Sequence, residues 1–473
     1  METDCRETQL AFQGLGRRAV VADFSAGRLS TEAGGLLLLR EVAERSGLLR
    51  QFAACFTDHR DPALLEHTVA ELVSQRVLAL ACGDEDLNDH DVLRDDAVLA
   101  LAAGKADVTG AARARARDRG HALAGTSTLN RWERTPADAT AAARYHKIVY
   151  DAAAIEHFFV AAFLAAHPTP PAEVVLDLDA TDDPVHGHQE GRFFHGYYRA
   201  YCYLPLYIFA GDFLLAATLR RADGDGAAGA VEEVERIVTQ LRAQWPAVRI
   251  IVRGDSGFAR DALMTWCEAH AVDYVLGLAR NERLEAIVSL ELALAEIGCA
   301  VTRAPVRLYK DFVYQTRASW TRARRVIGKA EHLPGKANPR FVVTSLPADQ
   351  WQAGALYAQL YCARGDMENR IKEQQLGLFA DRTSTATMRA NQLRLWIASV
   401  AYVLVHELRR VGLRGTALAR AQVTTIRTRL LKLGGIVRVS VRRIAIALSG
   451  VFPLRWLFIT ALTNLQTTYP RRC

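Results

Sequence analysis

Between residues 174 and 279 the apolar residues fall into short β-type runs separated by helical stretches, and that order constrains the fold more than any other feature. VVLDLD (174–179), YLPLYIF (203–209) and FLLAATL (213–219) predict three strands, the last two joined by a short Gly-containing turn. AGAVEEVERIVTQLRAQW has helical spacing, VRIIV (248–252) is an apolar β-branched strand, a helix is expected from about Ala259, and YVLGLA (274–279) is a further strand. Three strands, helix, strand, helix, strand make an α/β arrangement.

The flanks differ. Residues 30–165 carry apolar side chains at helical spacing through LLLLREVAERSGLL, HTVAELVSQRVLALACG and ATAAARYHKIVYDAAAIEHFFVAAFLA. They end in HPTPP (167–171), whose prolines cannot continue a helix. Residues 281–345 interrupt the strand and helix order, and YQTRASWTRARRVIGKA and RFVVTSL predict strands there, so the stretch reads as an insertion. AGALYAQLYCARGDMENRIKEQQL (353–376) predicts a late helix in spite of Gly365, which costs about 1 kcal/mol relative to Ala. The expected division is a mainly helical region 1–170, a first part of the core 171–280, a β-rich insertion 281–350, final helices 351–412 and a basic region 413–473.

With 473 residues, 50% of them hydrophobic, the chain is long enough for two or three buried cores, and its 23% charged content excludes a disordered or fibrous protein. Apolar runs such as Leu395 to Val405 fall short of the ~20 residues that span a bilayer, and no signal-peptide core opens the chain, so a cytoplasmic protein is expected. Eight cysteines without a CxxC pair argue against disulfides and thiolate zinc sites and read as reduced, mostly buried thiols. From residue 401 onward thirteen Lys or Arg stand against one acid, Glu407, while residues 1–400 hold 46 basic and 51 acidic residues. The whole net charge of +7 therefore belongs to the C-terminal segment, which suggests a polyanionic partner or a solvated basic face.

Asp177 and Asp179 lie two apart and share one face of a strand that is otherwise apolar. Buried there they need compensation, which a bound cation would supply; alternatively these aspartates, with Asp182 and Asp183, cap the strand end or start a turn. Asp255 follows VRIIVRG where a buried strand emerges, a position suited equally to catalysis and to capping the next helix. Tyr361, Arg364, Glu368, Lys372 and Gln375 share one helical face within roughly 80°. That stripe fits a metal-bound phosphate, or else an exposed face with Glu368 and Lys372 as an i,i+4 ion pair.

LDLDATDDPVHGHQEGRFFHGYY, VRGDSGFAR with YVLGLARN, and YCARGDMENRIKEQQLGL together resemble bacterial insertion-sequence transposases of the DDE class, most closely insertion-sequence group thirteen-eighty. The likeness extends to TSTLNRWE near the N-terminus and to the arginine-rich LKLGGIVRVSVRRIAIALSGVFP. It implies an RNase H-like catalytic core with Asp179, Asp255 and Glu368 as the catalytic, metal-holding carboxylates, and Asp177 as the lesser claimant. The family's Tyr, Arg, Glu, Lys order matches Tyr361, Arg364 and Glu368, while the Lys position falls on Gln375, a departure that Lys372 on the same face could offset. The N-terminal region is then the DNA-binding one, with Thr128, Asn130, Arg131 and Trp132 reading the terminal repeats or merely capping and solvating their helix. Arg427, Arg429, Arg438, Arg442 and Arg443 would neutralise phosphates.

The chemistry implied is in-line displacement at phosphorus with two Mg2+, replaceable by Mn2+, about 3.5 to 4 Å apart. Oxygen donors suit magnesium better than zinc, so His186, His188 and His195 are expected to orient carboxylates or touch the DNA backbone. No GxxxxGKS phosphate loop occurs, which excludes the usual ATP-driven motor. The expected partners are double-stranded DNA, both terminal inverted repeats and target, and a second copy of the chain in the synaptic complex, with no membrane contact and a nucleoid location. A non-catalytic DNA-binding descendant, or an RNase H-like nuclease without strand transfer, are the alternatives.

Overall fold

A computed structural model of the protein describes residues 10–15, 18–22 and 30–469; Cys5 and Cys473 lie outside them. The chain forms two compact units, one of residues 1–149 with 400–473, the other of residues 150–399.

The unit of residues 150–399 is built on a mixed sheet. Its strands are β1 (Glu173–Ala180), β2 (Leu206–Ala210), β3 (Phe213–Thr218), β4 (Arg249–Gly254), β5 (Asp273–Leu278), β6 (Val306–Tyr314), β7 (Arg324–Leu333) and β8 (Arg340–Thr344). They lie in the order β3-β2-β1-β4-β5-β8-β7-β6, with the short strand Lys336–Ala337 paired to β7. β4 pairs in parallel with both β1 and β5, and the other neighbours are antiparallel. The expected strand and helix order over 174–279 is present. The stretch expected as an insertion extends the same sheet, and it is partly helical, holding Glu282–Ile287 and a longer helix at Ser289–Thr302.

Helices α1 (Ala152–Ala166), α2 (Ala230–Gln244), α3 (Asp261–Ala269), α4 (Ser289–Thr302) and α5 (Gly365–Leu378) are among the helices of this unit. Alternation along β1 sends Val174, Leu176 and Leu178 into one core with Ile250, Val252, Val234, Ile237, Leu241 and Met264. The opposite face, with Val175, Ile251 and Val275, packs against Leu356, Tyr357 and Leu360. α1 begins only at Ala152, because the Asp151 side chain accepts from the Ala154 amide and caps it. Residues 148–150 before it are extended, so ATAAARYHKIVY is not the helix its spacing suggested. The helix does stop at the prolines, yet the division between units precedes it, and its Val160, Phe163 and Leu164 join the sheet's core.

The other unit contains the helices Leu36–Ser46, Leu48–Ala53, Val69–Cys82, Ala97–Ala102 and Thr126–Glu133. Thr68 and Glu71 close the start of Val69–Cys82 in a capping box, and Gly47 at φ 73° breaks LLLLREVAERSGLL into two helices. The basic C-terminal segment belongs to this unit's core. A Cβ on Gly35 would sit 2.2 Å from the Leu430 carbonyl oxygen, so only glycine admits this approach. Strand Gly435–Val439 pairs with Ile444–Leu448 and with Ser30–Thr31.

Arg427 is buried and donates to the carbonyls of Ala81 (2.9 Å) and Leu80 (3.0 Å), completing the C-terminal end of Val69–Cys82. A cation there also favours the helix dipole. Arg427→Ala is expected to lower the stability of this unit by about 1–3 kcal/mol, read as a lower urea midpoint, because the buried Ala81 carbonyl loses this donor while the Leu80 carbonyl keeps the Gly83 amide at 3.0 Å. Of the six described cysteines five are buried and Cys362 is exposed, all as free thiols. No helix among the described residues is long and apolar enough to cross a membrane.

Candidate active site

The parallel pairing of β1 with β4 builds the site. Arg253 stands opposite Asp177 and Gly254 opposite Leu178, so the same register carried one residue further sets Asp255 level with Asp179. Asp179 shares the face that carries Asp177 and Arg253, and Asp255 follows directly after the end of β4, where the chain leaves the sheet.

The two aspartates of β1 have different surroundings. Asp177 is buried and held by Arg253, whose Nε donates to Oδ1 and whose Nη2 donates to Oδ2 at 2.7 Å. Arg253 Nη1 also donates to the Leu360 carbonyl, tying both strands to the helical segment above them. Burial raises the Asp177 pKa, with the Arg253 hydrogen bonds opposing it. Asp179 is half-buried, accepts a local bond from the Ala180 amide at 3.0 Å, and has its pKa pushed up to about 6. Desolvation is the main cause, and the charges of Asp255 and Glu368 act in the same direction against Arg364.

Asp255 accepts from the Gly257 amide at 2.8 Å in an Asx turn. It does not cap the following helix, which starts at Asp261 after Arg260. Gly277 on β5 gives this loop its room: a Cβ there would lie 2.6 Å from the Tyr361 hydroxyl and 2.8 Å from the Ser256 amide. A glycine inside YVLGLA was the available sign of such an approach, and the motif reading passed over it.

The late helix is helical throughout but irregular. Residues Leu356–Tyr361 form a π-turn, Cys362–Arg364 a 3-10 turn, and a regular α-helix begins at Gly365. Such turns frequently mark functional positions. Arg364 lies among the carboxylates, its Nη2 3.3 Å from Glu368 Oε1 and its Nη1 3.9 Å from Asp179 Oδ2. Burial works against its charge, but Asp179, Tyr361, Asp255 and Glu368 outweigh it and raise its pKa. Tyr361 is half-buried, its pKa raised mainly by desolvation. Lys372 is exposed, and Gln375 is turned to the β1 side, donating to the Asp182 carbonyl at 3.1 Å.

The three carboxylates surround Arg364 rather than meeting one another, and among the described residues no three His, Cys, Asp or Glu side chains come close enough to hold a metal ion. Their chemistry nevertheless fits one. All are hard oxygen donors, and the pKa of Asp179 is raised by desolvation first and by the charges of Asp255 and Glu368 after it, both of which a bound cation would offset. Of the histidines of the first motif, His188 Nδ1 accepts from Arg192 at 2.8 Å and His195 lies against the Tyr198 ring, 4.9 Å between centroids.

In the unit of residues 1–149 and 400–473, Arg131 is exposed above the Tyr145 ring, 4.8 Å from its centroid, and lines a small cleft with Arg60, Thr128 and Lys147. Trp132, expected beside it as a reader of bases, is instead buried against Phe56. Arg438, Arg442 and Arg443 are exposed on the C-terminal β-hairpin. Arg427 spends its donors on backbone carbonyls, which removes it from the phosphate contacts expected of the tail.

The family model for the transposase DDE domain, group 1, matches residues 12–470. No curated protein matches the chain.

Proposed function

Because the chain belongs to the DDE transposases of domain group 1, we propose that it cleaves the ends of its own mobile element and transfers the freed 3′-hydroxyl strands into target DNA. The family's core is RNase H-like, and the mixed sheet with flanking helices accords with it. Within the family we assign the chain to insertion-sequence group thirteen-eighty. The observation that supports the reading is the parallel β1–β4 pairing, whose last pair is Gly254 with Leu178, the residues just before Asp255 and Asp179, together with Arg364 lying 3.3 Å from Glu368 and 3.9 Å from Asp179.

Asp179, Asp255 and Glu368 would hold the divalent ions that DDE transposases generally use, here two Mg2+ or Mn2+. Bound there, such ions supply Lewis acidity to the attacking and leaving oxygens of an in-line displacement. The protein's own part is positioning. Asp177 and Arg253 lock β1 to β4 and to Leu360, so the two aspartate-bearing strand ends cannot slide. Arg364 would exchange its carboxylate partners for a DNA phosphate, which its planar donors can grip in pairs, with Tyr361 and Lys372 along the same helix. Arg131 with Arg60 and Lys147 would contact the terminal repeats, and joining two ends calls for two copies of the chain on the bacterial nucleoid.

The test is incubation of the purified protein with labelled element-end DNA and magnesium. Cut ends followed by joined products support the reading; cuts without joining indicate a nuclease, and shifted bands alone indicate a binding protein. The exposed tail carries a separate prediction. Arg438, Arg442 and Arg443 replaced together by alanine are expected to flatten the log affinity against log salt slope by about two to three, measured by titration of nonspecific duplex. An unchanged slope removes the hairpin from DNA binding.

A further inference from the structure

α4 is apolar on both sides. Its lower face is pinned to β6 and β7 through small residues: Ala295 and Cys299 are buried, and a Cβ on Gly298 would lie 3.3 Å from Val306. Its outer face carries Leu290, Leu294, Ile297 and Val301, exposed by 64, 51, 62 and 80%, with the exposed Ala293 and Ala300 between them. No charge interrupts this stripe; Glu291 is turned to Lys310 at 3.0 Å, and Glu296 lies at the edge. A helix apolar all round belongs in an interior, so the outer face calls for a cover.

We propose that this face pairs with the same face of a second copy of the chain, as two antiparallel α4 helices about a two-fold axis. The spacing of the stripe, four, three and four residues, reads the same from either end. An antiparallel copy therefore sets Leu290 against Val301 and Leu294 against Ile297, the spacing of a coiled-coil seam. The apolar area covered on two copies is on the order of 1,000 Å², the lower end for specific association, so the dimer is a weak one with Kd in the range of about 1–100 µM.

Sedimentation velocity of the full chain, without DNA and under reducing conditions, tests this between about 1 and 200 µM. The expected result is a monomer–dimer equilibrium whose Kd rises at least tenfold in Leu294→Lys and in Ile297→Glu. Both positions are exposed, so circular dichroism and the melting temperature should stay unchanged. Combining the two substitutions should restore the dimer, because each introduced lysine then faces the partner's glutamate. A wild-type chain that stays monomeric overturns the proposal and leaves the face to a different protein. A dimer indifferent to the single substitutions, or a double variant that stays monomeric, overturns it as well. No DNA enters the measurement, so its failure is distinct from failure of the cleavage experiment.

Discussion

Asp255→Ala is expected to lower strand cleavage by about a thousandfold or more, while DNA affinity stays within about threefold. Loss of one ligand of a charge-stabilising site forfeits several kcal/mol in the transition state, and each 1.36 kcal/mol is a factor of ten. The fold should persist, since the hydrogen bond that this side chain accepts is a local one from Gly257, worth about 1 kcal/mol. Asp255→Asn can keep that bond while removing the charge, and should be equally inactive. Asp177→Ala supplies the contrast. It leaves the Arg253 guanidinium without its carboxylate in a buried position, which is expected to cost about 3–5 kcal/mol of stability and to appear as a lower urea midpoint. Cleavage retained in Asp255→Ala would refute the site, and an Asp177→Ala protein as stable as wild type would refute the structural role given to that pair.

Acid should destabilise the unit of residues 1–149 and 400–473 through two buried histidines. Desolvation holds His67 down to about 3, aided by the positive charges of Lys105, Arg113 and Arg60, and it holds His90, which accepts from Gln75 at 2.9 Å, to about 3 as well. In the unfolded chain each titrates near 6.5. Both are therefore neutral in either state above that pH and do not affect the balance there. As pH falls through 6.5 the unfolded chain binds protons that the folded one refuses, so stability is lost, by about 2–3 kcal/mol for each histidine at pH 4.5. Against the 5–15 kcal/mol typical of a domain, that loss is large. His67→Leu removes one of the two protonations, and its urea midpoint is expected to fall less between pH 7 and pH 4.5 than that of the wild type. Equal falls in the two proteins would exclude His67 as a cause.

The strand and helix order between residues 174 and 279 was legible because β alternation and helical period are local properties, written in consecutive residues. Asp177 and Asp179 could be placed on one face by the same rule. Where the reading strayed, the deciding contact was remote. ATAAARYHKIVY has helical spacing, yet the Asp151 cap starts the helix only after it. Trp132 carries the polar handle of a base reader, but Phe56 and the surrounding core take it up. The basic tail reads as a separable segment in the sequence; the packing of Leu433 against Gly34 and of Leu430 and Leu431 against Gly35 makes it part of the core, so point substitutions rather than truncation isolate its charge.

The amino-acid sequence by itself determined the element order between residues 174 and 279, the candidate carboxylates, and, through three motifs in order, the family. Tertiary structure alone decided which aspartate of β1 is engaged by Arg253, that Arg364 stands among Asp179, Asp255 and Glu368, and that the stretch after residue 281 prolongs the sheet. The reason is that strand register and long-range pairing join residues tens to hundreds apart, and no local period carries that information.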